Sequence, residues 1–314
     1  MRRSGHLSII LLLVFSLWSC STRKMVVNEL SGIIETGMPA FEQEDDLEML
    51  EKAFPANIKL LETFLQSDPD NYRMLVLLSR FYASYGFVFV EGELEKAILG
   101  VNDAPIADSS ASATESDFLK EALNRYYLKG ADYALKALET RYPDCRGQLR
   151  KIATQDQFFQ KITPADVPGL FWYGFNLGLY VNLNRDSIKV LSKAHLAEKS
   201  MKRVIELRPD YYYGGAHLFL LSYYASRPPM MGGNLNLAQS HYDKVKELAG
   251  DDFLLADLFY ARYYLYQKQE RDAYQKVLSG IVQHQESRQL FRLYNKVAVL
   301  RAELYLSAID QLFE

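Results

Sequence analysis

Apolar residues return at intervals of three and four along nearly the whole chain, and strand-like alternation bounded by Asn-Gly or Asp-Gly is absent. The pattern predicts an all-α protein. Leu30 to Met38 reads as a short helix stopped by Pro39, Phe41 to Gln66 as two helical stretches broken near Pro55, and Tyr72 to Leu99 as one long apolar helix. Val101 to Asp117 is rich in Asn, Asp, Ala, Ser and Thr and lacks the apolar period, which predicts a flexible loop at about 101–117 inside one domain. Helices resume at Phe118 and run to Phe313, with breaks at Pro143, Pro164 to Pro168, Pro209, Pro228 to Gly233 and Gly250.

Between these breaks the residues repeat. In a tetratricopeptide repeat a small residue in the second helix is followed at +4 and +7 by packing residues, and a proline five places later ends the helix. Ala131, Leu135, Leu138 and Pro143 fit that spacing, as do Ala197, Met201, Val204 and Pro209. Asn57, Leu61, Phe64 and Pro69 form a looser copy; Ala238, Tyr242, Val245 and Gly250 match with glycine for proline, and Ala273, Val277 and Gly280 continue the set. The expectation is a degenerate tetratricopeptide-like array over 29–314. Its last apolar face would be covered by a C-terminal capping helix with a seam of Leu293, Val297, Leu300, Leu304, Ala308 and Leu312.

The first residues have another character. Arg2 and Arg3 precede an apolar run from Leu7 to Leu17, too short to span a bilayer, and Leu17-Trp18-Ser19-Cys20 closes it like a lipobox. This predicts a lipoprotein signal at 1–19, acylation of Cys20 and a lipidated tether at 20–28. Trp18 departs from the small residue usual at its place, and an ordinary secretory leader is the alternative. Ser21 after the cysteine, by resemblance to sorted lipoproteins, places the protein in the periplasm on the inner leaflet of the outer membrane.

Loss of Arg2 and Arg3 moves the formal charge from −3 to −5, which leaves no basic field for nucleic acid. Cys145 is then the remaining thiol, without an internal disulfide partner. None of the four remaining histidines, His195, His217, His241 and His284, has a ligand at helical spacing, and no nucleophile, Walker, Rossmann or paired-carboxylate signature occurs, so neither metal, cofactor nor catalytic residue is expected. With 22 Tyr and 17 Phe, the chain has aromatic clusters too dense for one core face, because adjacent helix positions point about 100° apart.

The run Asp166-Val167-Pro168-Gly169-Leu170-Phe171-Trp172-Tyr173, the run Tyr213-Gly214-Gly215-Ala216-His217-Leu218-Phe219-Leu220 and the segment from Tyr224 through Arg227-Pro228-Pro229-Met230-Met231-Gly232-Gly233-Asn234 to His241-Tyr242 make a further pattern. With Phe259-Tyr260-Ala261-Arg262-Tyr263 and the aromatic stretch Leu75 to Glu91, they resemble the TatT-like T component of tetratricopeptide-associated TRAP transporters. The resemblance implies a periplasm-facing, membrane-anchored lipoprotein traversed by an apolar-lined pore. It also implies a solute-binding P subunit as partner and a small hydrophobic or carboxylated solute.

Segments 166–176, 211–217 and 227–234 each set bulky aromatic or Met side chains beside Gly, Asn, His or Arg, the mixture of an apolar pocket with a few orienting groups. Trp172, Tyr173, Asn176, Tyr212, His217 and Arg227 are therefore expected to line one cavity or its mouth. For each aromatic, ordinary core packing is the competing reading. For Arg227 to Asn234, a rigid connector between helices competes with a pore mouth. Two functions follow: non-enzymatic solute handling, or a lipid-anchored scaffold whose concave face grips an envelope protein. The oligomeric state is left open.

Overall fold

In the computed structural model, described over residues 22–101, 109–285 and 289–313, every regular element is helical. Helix α1 covers 22–37 and α2 Pro39–Glu42; α3 covers Leu47–Leu65 and α4 Tyr72–Tyr85. A π-helical turn, Gly86–Val90, joins α4 to α5 (Glu91–Leu99) without a break in direction, so the long apolar helix is present with one widened turn in it. Then come α6 (Ser109–Glu139), α7 (Cys145–Arg150), α8 (Ile152–Lys161), α9 (Val167–Leu183), α10 (Ile188–Leu191), α11 (Ala194–Leu207), α12 (Tyr211–Ala225) and α13 (Leu235–Ala249). A second π turn, Tyr260–Leu265, links α14 (Leu254–Phe259) to α15 (Tyr266–Lys268), and α16 (Arg271–Gln283), α17 (Arg292–Ser307) and α18 (Ile309–Leu312) complete the chain. The signal and Cys20 lie outside the described residues.

Three local expectations need correction. The tether is helical from residue 22, because Val27 and Ser31 are buried and tie the segment down by the apolar face of α1, helped by Lys24 lying 3.6 Å from Asp68. Pro55 does not break α3: it sits on the exposed face, where the carbonyl that loses its N–H partner can meet water, while Leu50, Phe54, Ile58, Leu61 and Leu65 pack inward. Residues 109–117 of the expected loop belong to α6. Once the packed part of that helix exists, propagation into an Ala- and Ser-containing segment needs no new nucleus.

Helix α9 sits at the centre, against α4, α6, α11 and α12. Its sequence is apolar almost all round, as a fully enclosed helix must be. Small residues let the neighbours close in. A Cβ on Gly174 would lie 2.7 Å from Ser200 on α11, one on Gly178 would lie 2.1 Å from the Phe219 ring on α12, and one on Gly130 of α6 would strike Asn176. At its start Asp166 closes a capping box with Thr163 and takes hydrogen bonds from Tyr142 and Arg141.

The repeat register locates its small residues well: Ala197 and Ala238 are fully buried where α11 meets α9 and α12, and where α13 meets α12. Helix α17 does bury Leu293, Val297 and Leu304 against α14 and α16, but it also returns to α2, and Leu300 of the predicted seam is exposed. Buried polar contacts between the two ends of the chain cause this closure, as the Tyr294 hydroxyl donates to Glu42 at 2.6 Å and Arg301 to the Phe87 carbonyl.

Replacing Ala197 by Leu should overpack the α9–α11 crossing and cost about 1–3 kcal/mol in urea unfolding. An unchanged midpoint would show that the crossing is looser than described.

Candidate functional site

An internal cavity of about 50 Å³ lies between α9, α12, the first π turn and α14. Its walls are aromatic. Phe171, Trp172 and Phe175 come from α9, Phe87 from the π turn, Phe259 from α14 and Tyr294 from α17. A cavity of that size holds a few waters and no solute until side chains move. The Trp172 ring stands edge-on to Tyr212 at 4.9 Å and to Phe171 at 5.0 Å.

Tyr212 reaches the cavity from an unusual backbone. Tyr212, Tyr213 and Gly214 have φ of 52°, 60° and 73°, a left-handed turn ahead of the right-handed part of α12. Each non-glycine residue so placed costs roughly 1–2 kcal/mol, so the surroundings must hold it. Both tyrosines are held. Tyr212 Oη lies 2.6 Å from Tyr294 Oη, and Tyr213 Oη donates to Glu42 at 2.9 Å while its ring packs edge-on to Phe291.

Through Tyr212 and Tyr294 the cavity wall adjoins a buried polar cluster. Glu42, buried on α2, accepts from Tyr213 and Tyr294 and pairs with Arg80 of α4. The Arg80 guanidinium lies over the Tyr212 and Trp172 rings, 5.0 and 5.9 Å from their centroids, and its Nε has no hydrogen-bond partner. Burial works against the Arg80 charge, but Tyr212, Tyr294 and Glu42 outweigh it and hold the group protonated. The arrangement offers stacking faces, one cation and one carboxylate.

The six expected site residues do not share one cavity. Trp172 and Tyr212 line it together. Tyr173 points off the other side of α9 into a surface cleft, as a neighbouring helix position must. Asn176 is fully buried and locks α9 to α4, with Nδ2 donating to the Ser79 carbonyl at 3.2 Å. Arg227 stacks on Tyr223 at 3.8 Å and donates to the Tyr223 carbonyl, so it fastens the 227–234 loop to α12. Pro228 to Asn234 forms the rigid connector, since Gly233 approaches the Arg227 carbonyl too closely for any Cβ.

His217 pairs with His241 on α13, Nδ1 to Nδ1 at 2.8 Å, away from the cavity. Burial lowers both rings below the usual histidine value, His241 to about 4, with His217 and Lys202 adding to its shift and Lys244 to that of His217. Among the described residues no group of three or more His, Cys, Asp or Glu side chains could hold a metal ion.

A family model described as TRAP transporter T-component matches residues 43–313. The chain belongs to that family. This T component is also 25% identical over 208 residues to an uncharacterized protein of Treponema pallidum (strain Nichols), a match covering 65% of this chain and 60% of that protein's length. The family is one of transporter components and not of enzymes.

Glu42, Arg80, Tyr213 and Tyr294 of this T component escaped sequence reasoning. They lie on four separate elements, and the backbone turn at 212–214 brings Tyr213 to the other three. The tyrosine triplet before two glycines was the one available signal.

The histidine pair gives a pH prediction. Both folded values are lowered, so the pair's stability is fully present above pH 6.5 and is lost as pH falls from 6.5 towards 4, where unfolded rings take protons that the folded pair refuses. After allowance for solvent screening, the wild type should lose of order 1 kcal/mol more between pH 7 and 5 than His241→Gln. Equal losses in urea titrations would contradict the assignment.

Proposed function

We propose that the protein is a non-enzymatic, membrane-anchored T component that takes a small hydrophobic or carboxylated solute into its aromatic cavity and exchanges it with a periplasmic solute-binding P subunit. The observation that supports this reading is the cavity itself: stacking faces from Phe87, Trp172 and Phe175 stand beside Tyr212 and Tyr294, whose hydroxyls lead to a buried pair of one cation and one carboxylate outside the lining, so the space accepts an apolar body and offers a polar edge. Family membership supplies the transport setting. Widening from 50 Å³ falls to the parts that depart from regular helix, the π turn at Gly86–Val90 and the left-handed turn at Tyr212–Gly214.

A second reading, the envelope scaffold, draws on one observation. A cleft of about 530 Å³ between α3, α5 and α17 is lined by Leu47, Val88, Phe89, Val297 and the exposed Leu300. Val88 lines both spaces, so solute entry and partner docking are adjacent in either reading.

N-Phenyl-1-naphthylamine, which fluoresces when it leaves water, should bind the wild type saturably. Val88→Phe, which fills the cavity, should weaken it about tenfold or more, the scale of one buried aromatic contact. No binding by the wild type would sink the solute reading. The anchor is tested separately: Cys20→Ser should release the protein from membranes with its helical circular dichroism unchanged, and full membrane retention would exclude acylation at Cys20.

A further inference from the structure

On the side of α9 opposite Trp172 lies a cleft of about 550 Å³, bounded by α6, α7, α8 and α11. That volume is in the range of small-molecule sites. Its floor is aliphatic, with Leu128, Leu135, Leu149, Leu177 and Leu196 from four helices. Tyr173 lines it as well. The residue is 7% exposed, and its hydroxyl has no hydrogen-bond partner among the described residues, although it faces the cleft. That hydroxyl is open to water in the cleft, so it is a donor free to meet a ligand acceptor. Burial also raises the Tyr173 phenol above its usual value, which keeps it a neutral donor.

The charges at the rim are uneven. Asp132 is held by Lys136 at 3.1 Å and by Arg146 at 2.9 Å, and Arg146 also binds Glu139 at 2.7 Å, so these groups neutralise one another. His195 turns both ring nitrogens towards carbonyl oxygens, of Ser192 at 2.8 Å and Gln155 at 3.1 Å, and leaves none for a ligand. Arg150 and Lys193 remain. Neither has a carboxylate within 4 Å among the described residues, and the Lys193 ammonium lies over the Tyr180 ring at 5.8 Å. On a protein of net negative charge, two unneutralised cations above an aliphatic floor form a local attractive field for anions.

We infer that this cleft is a second ligand site, distinct from the aromatic cavity, which holds a single-chain amphiphilic anion: its chain on the leucine floor, its head between Arg150 and Lys193 with a hydrogen bond from the Tyr173 hydroxyl. The inference stands independently of the solute reading of the internal cavity. Tyr173 acts as donor, Arg150 and Lys193 as counter-charges, and the leucines as the apolar surface that selects a chain over a bare anion.

Titration calorimetry with decanoate, decyltrimethylammonium and inorganic phosphate tests it. Decanoate should bind one equivalent, and the cation of equal chain length and phosphate alone should bind at least about tenfold more weakly. Tyr173→Phe, which removes one oxygen and keeps the ring, should weaken decanoate about tenfold, as should Arg150→Ala with Lys193→Ala. Both rim residues are at the surface and their loss leaves the packing intact. Absence of decanoate binding, equal binding of the cationic amphiphile, equal binding of phosphate, or full decanoate affinity in both variants would each overturn the proposal.

Discussion

Enclosure of α9 on all sides is the constraint from which the rest of the molecule follows. A helix whose every face is covered needs neighbours at close range, and Gly130, Gly174 and Gly178 supply that range at three crossings. Helices so close leave little free volume inside, which is why the internal cavity is small while open clefts form where the surrounding helices diverge. It also sends consecutive side chains into different surroundings. Trp172 meets Tyr212 and the cavity, Tyr173 the outer cleft, and Asn176, one turn on from both, the backbone of α4.

Closure of the chain on itself rests on buried charge. Beyond the Glu42 cluster, Glu91 and Glu95 of α5 meet Arg262 of the second π turn and Arg301 of α17, with Tyr127 donating to Glu91 and Tyr305 to Glu95, both at 2.8 Å. Desolvating such groups consumes much of their attraction, so the net gain in stability is small, yet removal of one partner strands the others. Their effect is to fix which helices meet. Apolar packing alone would allow α17 to slide, whereas an arginine aimed at the Phe87 carbonyl permits one register. Both clusters adjoin a π turn or the left-handed turn, so the least regular backbone lies where the polar groups demand a particular direction.

Helix positions and most of their ends were legible in the sequence because proline, glycine and the apolar period act locally. Pro143, Pro209 and Gly250 stop helices for reasons contained in the residue itself. Pro55 misled because a proline's effect depends on whether its carbonyl partner faces water. The start of α6 and the helical tether were hidden because both are propagated from packed segments some residues away. The small residues Ala197 and Ala238 were legible as crossing points, but the closure was not, since it joins residues as far apart as Glu42 and Tyr294. For the site, aromatic density drew attention to Trp172 and Tyr212, which line one cavity. A left-handed turn through two tyrosines has no sequence rule, so the acidic and basic cluster beside the cavity could not be read.

The central claim is that the aromatic cavity opens to hold a solute within an otherwise tightly packed molecule. Native mass spectrometry of the protein isolated from its own cells addresses this most directly. The account predicts a population heavier by one small molecule, absent from Val88→Phe isolated in the same way. A bare polypeptide mass in the wild type, or an equal bound mass in the cavity-filled variant, would contradict it.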